Sequence, residues 1–313
     1  MLRVLGKLSL VISLISLSAC AGPRSAHVPV VTAFPLLNPL FASDSNVAFS
    51  ELRPFTYKIQ ALVDERKRAG LASRVSVYFR DLENGPLFGV NFEEKFSPAS
   101  LLKVPLLMAA LKEAESDPAL LSRRLRNDQP EMARSDIGGE ALIRGGEYTV
   151  DELLHAMIVD SDNDAVVLLR TVISAEALDA VFRDFGMVIP EVRNMDDSMS
   201  VREYATFFRI LYNASYLNKE MSQKALSYLA DSKFKIGLVA GVPPGTVVAH
   251  KFGERSFVGS NLKQLHDCGI VYHPAQHYVL CVMSRGSDFT HLSAVIRDVS
   301  ALVYAEIRTD RAR

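Results

Sequence analysis

Ser100-Leu101-Leu102-Lys103 is a group of residues whose types and spacing could perform chemistry. In a helix this spacing places Ser100 and Lys103 one turn apart on the same face. The serine would lie at the helix N-terminus, where free N–H groups and the helix dipole stabilise developing negative charge. A lysine whose pKa is lowered by partial burial could accept the hydroxyl proton. The motif therefore predicts an activated serine nucleophile.

Chance supplies this spacing readily, since Ser232 and Lys235 repeat it. The surroundings distinguish the two occurrences. Ser100 follows Pro98 and precedes a strongly apolar run with helical spacing, whereas Ser232 lies in a polar stretch. We therefore assign the nucleophile to Ser100.

Two further short motifs follow along the chain. Ser161-Asp162-Asn163 lies between two predicted helices, where a hydroxyl could relay a proton and an amide could hold a substrate carbonyl. These residue types are equally typical of a helix N-cap or a turn. Lys251-Phe252-Gly253 enters a predicted strand, where a glycine lets a substrate lie against the backbone and a lysine supplies positive charge. Lys235-Ile236-Gly237 has the same form, so this motif is weak alone.

The elements that must position these motifs are strands at both ends of the chain with helices between them. Strand patterns cover residues 75–79 and 87–92 and return only after Thr246. Helical spacing covers residues 57–67, 104–114, 149–157, 165–172, 175–185, 201–212 and 292–307. This order predicts an α+β fold, with an antiparallel sheet of about five strands flanked by helices and a separate all-helical lobe. A cleft between the lobes is where an active site is expected.

The predicted domain covers residues 54–313. Its α/β lobe is formed by about residues 54–105 and 235–313, and its helical lobe by about residues 106–234. A capping box of Thr149 and Glu152 marks the start of one helix in that lobe.

Residues 1–19 have the build of a secretory signal, with a positive start, an apolar run and small residues before Cys20. Leu17-Ser18-Ala19-Cys20 resembles a bacterial lipobox, in which the cysteine is acylated. The alternative is a plain signal peptide with an incidental cysteine. Residues 20–53 would then be a lipid-anchored linker. We expect an exported membrane lipoprotein that faces the periplasm. Ala21, which follows the cysteine, is not an inner-membrane retention signal. We therefore expect the outer membrane if the host is Gram-negative.

Composition narrows the choice of partners. With 49% hydrophobic and 23% charged residues, the chain is typical of a globular protein, and its net charge of −1 gives no steering toward nucleic acid. We find no zinc-spaced cysteine and histidine set and expect neither a metal nor an organic cofactor.

Cys268 and Cys281 face each other across a predicted hairpin. Export would permit a disulfide, but directly cross-strand geometry is usually strained, so we expect two buried thiols.

Together, S-x-x-K, S-D-N and K-x-G in this order resemble the signature of class A β-lactamases and penicillin-binding proteins. The 61 residues between Ser100 and Ser161 are close to the class A spacing, and residues 96–100, 148–154 and 241–253 resemble the family's motif surroundings. The resemblance covers about residues 55–307. It implies a β-lactamase/transpeptidase-like fold and a β-lactam or peptidoglycan-like small-molecule or peptide substrate.

The resemblance also implies catalytic roles for three residues. Ser100 would be acylated, Lys103 would activate it, and Ser161 would pass the proton to the leaving nitrogen. The residues implied in substrate binding are Asn163, Lys251, Gly253 and Glu254. Among these, Lys251 would assist electrostatically, and the backbone N–H of Glu254 would form the oxyanion hole with that of Ser100.

One departure from the family pattern is Phe252, which replaces the hydroxyl residue of K-T-G. In the family that hydroxyl helps to bind the carboxylate of β-lactams and D-Ala-D-Ala peptides. A phenyl ring donates no hydrogen bond and takes more room, so we expect weaker affinity or a different ligand. Arg255 or Arg285 could supply a compensating cation, or each could be an ordinary surface arginine.

A second departure is the span of 90 residues from Ser161 to Lys251, which is shorter than in typical class A enzymes. The shortage falls between Gly186 and Met199, where those enzymes carry an omega loop with the glutamate that activates the deacylating water. Glu191 could be that base or a solvated loop residue. Without the base, acylation could proceed while hydrolysis stalls.

These features favour a serine hydrolase with β-lactamase-type acylation and slow turnover. The alternatives are a D,D-peptidase of the penicillin-binding-protein kind and a binding lipoprotein that keeps the fold without turnover.

Overall fold

The structure, a computed structural model, describes residue 36 and residues 52–128, 137–189 and 197–310, with side chains as far as residue 307. The described residues all belong to one compact unit, Phe34–Arg313. The predicted signal segment, Cys20 and most of the predicted linker therefore lie outside the described residues. Within the described ranges, no helix combines the length and the apolar character that a membrane span requires.

Strands of the main sheet lie near both ends of the described chain with helices between them, as the sequence pattern predicts, whereas the helix over Lys219–Ala230 was not predicted. The α-helices of the described ranges are α1 (Arg53–Arg68), α2 (Lys103–Ser116), α3 (Val150–Val159), α4 (Asn163–Leu169), α5 (Ala175–Asp184), α6 (Val201–Asn213), α7 (Lys219–Ala230) and α8 (Phe289–Asp310). The strands are β1 (Arg74–Asp81), β2 (Leu87–Val90), β3 (Lys95–Phe96), β4 (Arg124–Arg126), β5 (Glu147–Thr149), β6 (Met199–Ser200), β7 (Val248–Ser256), β8 (Lys263–Tyr272) and β9 (His277–Gly286).

The main sheet has five antiparallel strands in the order β2-β1-β9-β8-β7, as expected. Strand β7 is an edge strand, so one side of its backbone faces away from the sheet. Lys251, Cys268, Cys281 and Tyr78 are successive partners across β7, β8, β9 and β1. These four residues form one row, and partners in a row lie on the same face of a sheet.

Each face of the sheet covers its own core. Helices α1 and α8 cover one face, through residues such as Ile59 of α1 and Val295 of α8. The helical layer covers the other face, and α2 lies at its centre, with Lys103 through Leu111 all buried. A helix that is buried on every side needs apolar residues on every side, which explains why its sequence is so strongly apolar.

Hydrogen bonds at the helix ends agree with the sequence pattern. Thr149 and Glu152 form the predicted capping box at the start of α3, and Ser200 and Glu203 form a second one at α6. The two-stranded pairs β3–β6 and β4–β5 were not predicted, because segments of two or three residues carry no measurable alternation.

The expectation of free thiols at Cys268 and Cys281 is wrong, since the two residues form a disulfide. They are direct partners on β8 and β9, as the hairpin predicted. Their Cα atoms are 4.0 Å apart, the close approach of the narrower type of antiparallel pair, which brings the two sulfur atoms within bonding reach.

One residue of the predicted linker is bonded to the domain. The backbone N–H of Leu36 donates to Gln223 Oε1 at 3.0 Å, and its carbonyl accepts from the Tyr272 hydroxyl at 3.1 Å. Leu36 therefore contacts the domain at α7 and β8.

Candidate active site

Ser100 lies in a short 3-10 turn, Ala99–Leu102, and α2 begins only at Lys103. The sequence predicted Ser100 as the start of the helix itself, so the structure places it one tighter turn earlier. Ala99 enters this turn with φ +47°, in the left-handed region that non-glycine residues rarely occupy. As a result Ser100 stays partly exposed while Lys103 is buried.

Side chains from the sheet and from α6 hold this turn in place. The Tyr204 hydroxyl donates to the Leu101 carbonyl at 3.0 Å. Before the turn, the Ser97 N–H donates to Gln264 Oε1 at 3.1 Å, and His266 Nε2 donates to the Ser97 carbonyl at 3.0 Å. Burial lowers the pKa of His266 to about 4, so its ring is neutral at physiological pH. The nucleophile turn is thus fixed from both sides by buried hydrogen bonds.

The Lys103 amine is bonded to the loop that carries the S-D-N motif. It donates to the Ser161 carbonyl at 2.5 Å, to Ser161 Oγ at 3.1 Å and to Asn163 Oδ1 at 2.8 Å. Burial lowers the pKa of Lys103 to about 7, against the opposing charges of Asp162 and Glu254. A lysine with this pKa is neutral for about half of the time at pH 7 and can accept a proton.

The Lys251 amine reaches the same hydroxyl from the sheet. It is fully buried and donates to Ser161 Oγ at 2.9 Å and to the Phe252 carbonyl at 3.0 Å. Burial, and then the neighbouring charge of Lys103, hold the pKa of Lys251 well below its ordinary value. Ser161 has φ +59°, a strained backbone that aims its hydroxyl between the two amines. A hydroxyl placed in this way can pass a proton from one group to another.

Gly253 is required by the close approach of β7 to the nucleophile turn. A Cβ atom at this position would lie 3.0 Å from the Pro98 carbonyl oxygen and from Leu101 Cγ. Cys268 and Cys281 are the narrower, non-hydrogen-bonded type of pair, so the backbone of Cys268 bonds to Lys251 of β7, and the carbonyl of the next residue, Phe252, points away from β8. In an antiparallel strand, the backbone N–H and C=O groups of one residue point toward the same edge of the strand as those of the residues two positions before and after it. The Glu254 N–H therefore faces the open edge of β7, as the predicted oxyanion hole requires.

Phe252 does not fill the cleft, which corrects the expectation that its ring takes room there. The ring is buried, stacks on Phe234 with 4.3 Å between centroids, and lies 4.2 Å from the Lys251 amine. It thus excludes water from that amine and offers it an aromatic face. The hydroxyl of the family motif is still missing.

Both candidate arginines are bonded to protein groups. Arg255 donates to Ser97 Oγ at 2.7 Å, and Arg285 pairs with the Asp197 carboxylate. Burial alone would raise the pKa of Asp197, but hydrogen bonds from Gln264 and Arg285 lower it overall. Asp197 and Gln264 were not predicted, because single polar residues outside a motif carry no signal of a contact distant in sequence.

A buried pair joins β7 to β8 on the face opposite Lys251. His250 Nδ1 lies 2.7 Å from Asp267 Oδ1, and Asp267 Oδ2 accepts from the Leu238 N–H at 2.8 Å. Both side chains are fully buried. The pair therefore fixes the strand that carries Lys251 without touching the cleft.

The remaining candidates are separated from this cluster or outside the description. Ser232, of the repeated S-x-x-K spacing, is buried, whereas its partner Lys235 is exposed, so the two do not form a site. Glu191 lies outside the described residues, and its role as a base stays a prediction. The cluster brings together side chains of the S-x-x-K, S-D-N and K-x-G motifs: Lys103, Ser161, Asn163 and Lys251.

Known proteins share this fold. A β-lactamase from Streptomyces albus G is 25% identical over 248 residues, which cover 72% of this chain and 77% of the relative. The solved structure of a PBP-A mutant, an acyl-enzyme complex with penicillin G, has a TM-score of 0.67 at 26% identity and covers 82% of this chain and 97% of its own. A β-lactamase from Chitinophaga pinensis shares the fold with a TM-score of 0.69 at 20% identity, covering 80% of this chain and 99% of its own. Since the family model for the β-lactamase enzyme family matches residues 54–307, this chain belongs to that family.

Proposed function

We propose that this protein is a serine hydrolase that is acylated at Ser100 by β-lactams or related cell-wall amides and releases the acyl group slowly. The observation that carries the proposal is the Ser161 hydroxyl, which accepts hydrogen bonds from two buried amines, Lys103 and Lys251. Burying two lysines around one hydroxyl lowers the stability of the folded protein, because burial disfavours their charged forms. Perturbed titratable groups of this kind are typical of catalytic sites.

Acylation would use the cluster in two proton transfers. As Ser100 Oγ attacks the amide carbonyl, its proton passes to the neutral Lys103 amine. Ser161, bonded to both lysines, then delivers a proton to the departing nitrogen while the carbon–nitrogen bond breaks. The backbone N–H groups of Ser100 and Glu254 would hold the developing oxyanion.

Slow deacylation is supported by the short chain segment after S-D-N, whereas the Asp162 carboxylate of that motif has a structural role. That carboxylate accepts from the Ala165 N–H at 2.6 Å and the Leu142 N–H at 3.0 Å, so it caps α4 and braces the loop.

A penicillin-binding D,D-peptidase is the second candidate. The similarity to PBP-A, a mutant of which was solved as an acyl-enzyme complex with penicillin G, supports this candidate. We further propose export and acylation of Cys20, which would anchor the domain to a membrane. Incorporation of radiolabelled palmitate that is lost in Cys20→Ser would support the anchor, and equal labelling of both forms would contradict it.

Intact mass after incubation with penicillin G tests the proposed reaction, using residues 21–313 and a Ser100→Ala control. A persistent gain of one drug mass, absent from the control, would support a penicillin-binding enzyme. A transient gain with drug hydrolysis would indicate a working β-lactamase. If neither form gains mass at any drug concentration, acylation by β-lactams is wrong, and a binding role for the lipoprotein is favoured.

A further inference from the structure

Two buried amines share one hydroxyl in the cleft. Lys103 Nζ lies 3.1 Å and Lys251 Nζ 2.9 Å from Ser161 Oγ. A hydroxyl carries one hydrogen, so Ser161 can donate to only one of these amines and must accept from the other. An amine accepts a hydrogen bond only when it is neutral, because an ammonium has no lone pair. The arrangement therefore suits one neutral and one charged lysine, and two ammonium groups around one oxygen would repel each other.

The proposed reaction needs the charge of this pair on Lys251, because Lys103 must be neutral to accept the serine proton. Burial alone favours the opposite. Lys251 is fully buried, whereas Lys103 keeps 5% of its surface exposed, and burial disfavours a charged amine most where solvent is excluded. Two carboxylates raise the pKa of each amine, so carboxylates do not separate the pair. They are Asp162 and Glu254 for Lys103, and Asp267 and Glu254 for Lys251. A further group must therefore favour the charge on Lys251.

The aromatic ring of Phe252 is in contact with the Lys251 amine and can act in this way. Lys251 Nζ lies 4.2 Å from the ring centroid, and the buried ring is stacked on Phe234 with 4.3 Å between centroids. An aromatic face attracts a cation, and it does so most strongly where water is excluded. The three N–H groups of a Lys251 ammonium then have three acceptors, which are Ser161 Oγ, the Phe252 carbonyl and the ring.

We propose that Phe252 is a positioning residue of the proton relay: its ring holds the charge of the lysine pair on Lys251 and so keeps Lys103 neutral as the base. The inference rests on the proposed acylation of Ser100. Lys251 keeps its proton throughout and donates to Ser161 Oγ, which leaves the Ser161 hydrogen directed toward Lys103. The Ser100 proton passes to Lys103 and, through Ser161, to the leaving nitrogen as the carbon–nitrogen bond breaks. Neither lysine gains or loses a proton overall.

Fluorination of the ring tests the inference, because it weakens the negative face of a phenyl ring while nearly preserving its shape. Phenylalanine with one, two or three ring fluorines is introduced in place of Phe252 by amber suppression. The rate of adduct formation on Ser100 with penicillin G, measured by intact mass at pH 8, should fall with each fluorine. With three fluorines it should be about tenfold slower, since a tenfold change in the position of the proton corresponds to about one pKa unit. Phe252→Leu, which has no ring, should be at least as slow.

Phe79 is the matched control, because it is a buried ring that stacks on Phe88 in the same core, with 5.0 Å between centroids. Three fluorines at Phe79 should leave the acylation rate unchanged, and thermal unfolding shows whether each fluorinated chain keeps its fold. A second readout is the nitrogen resonance of the Lys251 amine, assigned by its absence in Lys251→Arg. It should move toward the value of a neutral amine as fluorines are added at position 252.

The two levels of the proposal fail differently. If the unaltered chain forms no adduct on Ser100, the proposed acylation is wrong, and the inference is wrong with it. If adducts form but the rate and the Lys251 resonance stay constant through the fluorine series, or if fluorination of Phe79 slows the reaction equally, only the role of Phe252 is refuted.

Discussion

We expect acylation of Ser100 to follow the protonation state of Lys103. An ordinary lysine has a pKa of 10.5, whereas burial lowers that of Lys103 to about 7. At pH 7 about half of the Lys103 amine is then neutral, compared with about one part in 3,000 for an ordinary lysine. Because only the neutral amine accepts the serine proton, the rate should rise about tenfold per pH unit below pH 7 and level off above about pH 8.

The assay is the rate of adduct formation with penicillin G, measured by intact mass after timed acid quench between pH 5.5 and 9.5. Lys103→Arg keeps the positive charge but cannot release its proton in this range, so it should be slower by about 10³-fold at pH 8. Glu254→Gln removes a charge that raises the pKa of Lys103, so its midpoint should move to lower pH.

The result that refutes this reasoning is a rate that still rises about tenfold per pH unit at pH 9.5, which would mean that Lys103 titrates as an exposed lysine. A flat profile from pH 5.5 to 8, or a Lys103→Arg variant that reacts at the original rate, would show that another group accepts the proton. Thermal unfolding of each variant at pH 7 serves as the control for an intact fold.

Three further changes test other parts of the structure. Ser161→Ala removes the hydroxyl that both lysines contact, so acylation should slow by about 10²–10³-fold with the fold intact; an unchanged adduct rate would exclude the relay. Tyr204→Phe leaves the Leu101 carbonyl without its donor and should lower the free energy of unfolding in urea by about 1–3 kcal/mol, so an unchanged midpoint would show that this bond is dispensable. Replacing Cys268 and Cys281 by alanine together should cost about 2–4 kcal/mol by the same measurement, and equal stability would mean that the disulfide adds nothing to the hairpin.

The sequence predicts much of this molecule because its long elements have clear periodicity. The apolar run of α2, the capping box of α3 and the amphipathic α8 were all predictable, and these elements set the two layers. The order of the three motifs then indicated which side chains would meet. Lys103 and Lys251 do meet at Ser161, although 148 residues separate the two lysines.

What the sequence could not predict depends on local backbone strain or on contacts between distant segments. Ala99 and Ser161 adopt left-handed conformations that neither residue type favours, so tertiary contacts must impose them. The direction of the Phe252 ring follows from the pairing of β7 with β8, not from its motif. The contact of Asp197 with Arg285 joins residues 88 positions apart, beyond the reach of any local pattern.

The pairing of β7, β8 and β9 has a consequence for how the catalytic geometry can be lost. A slip of one residue between β7 and β8 would turn Lys251 into the opposite core, and a slip of two would carry its amine about 7 Å along the strand. The bonded pair of His250 and Asp267 opposes slippage at β7–β8, and the bond between Cys268 and Cys281 opposes it at β8–β9. Because strands shift only by whole residues, Lys251 is either in place or far from Ser161. A shift of the strand therefore removes the whole proton relay at once rather than weakening it gradually.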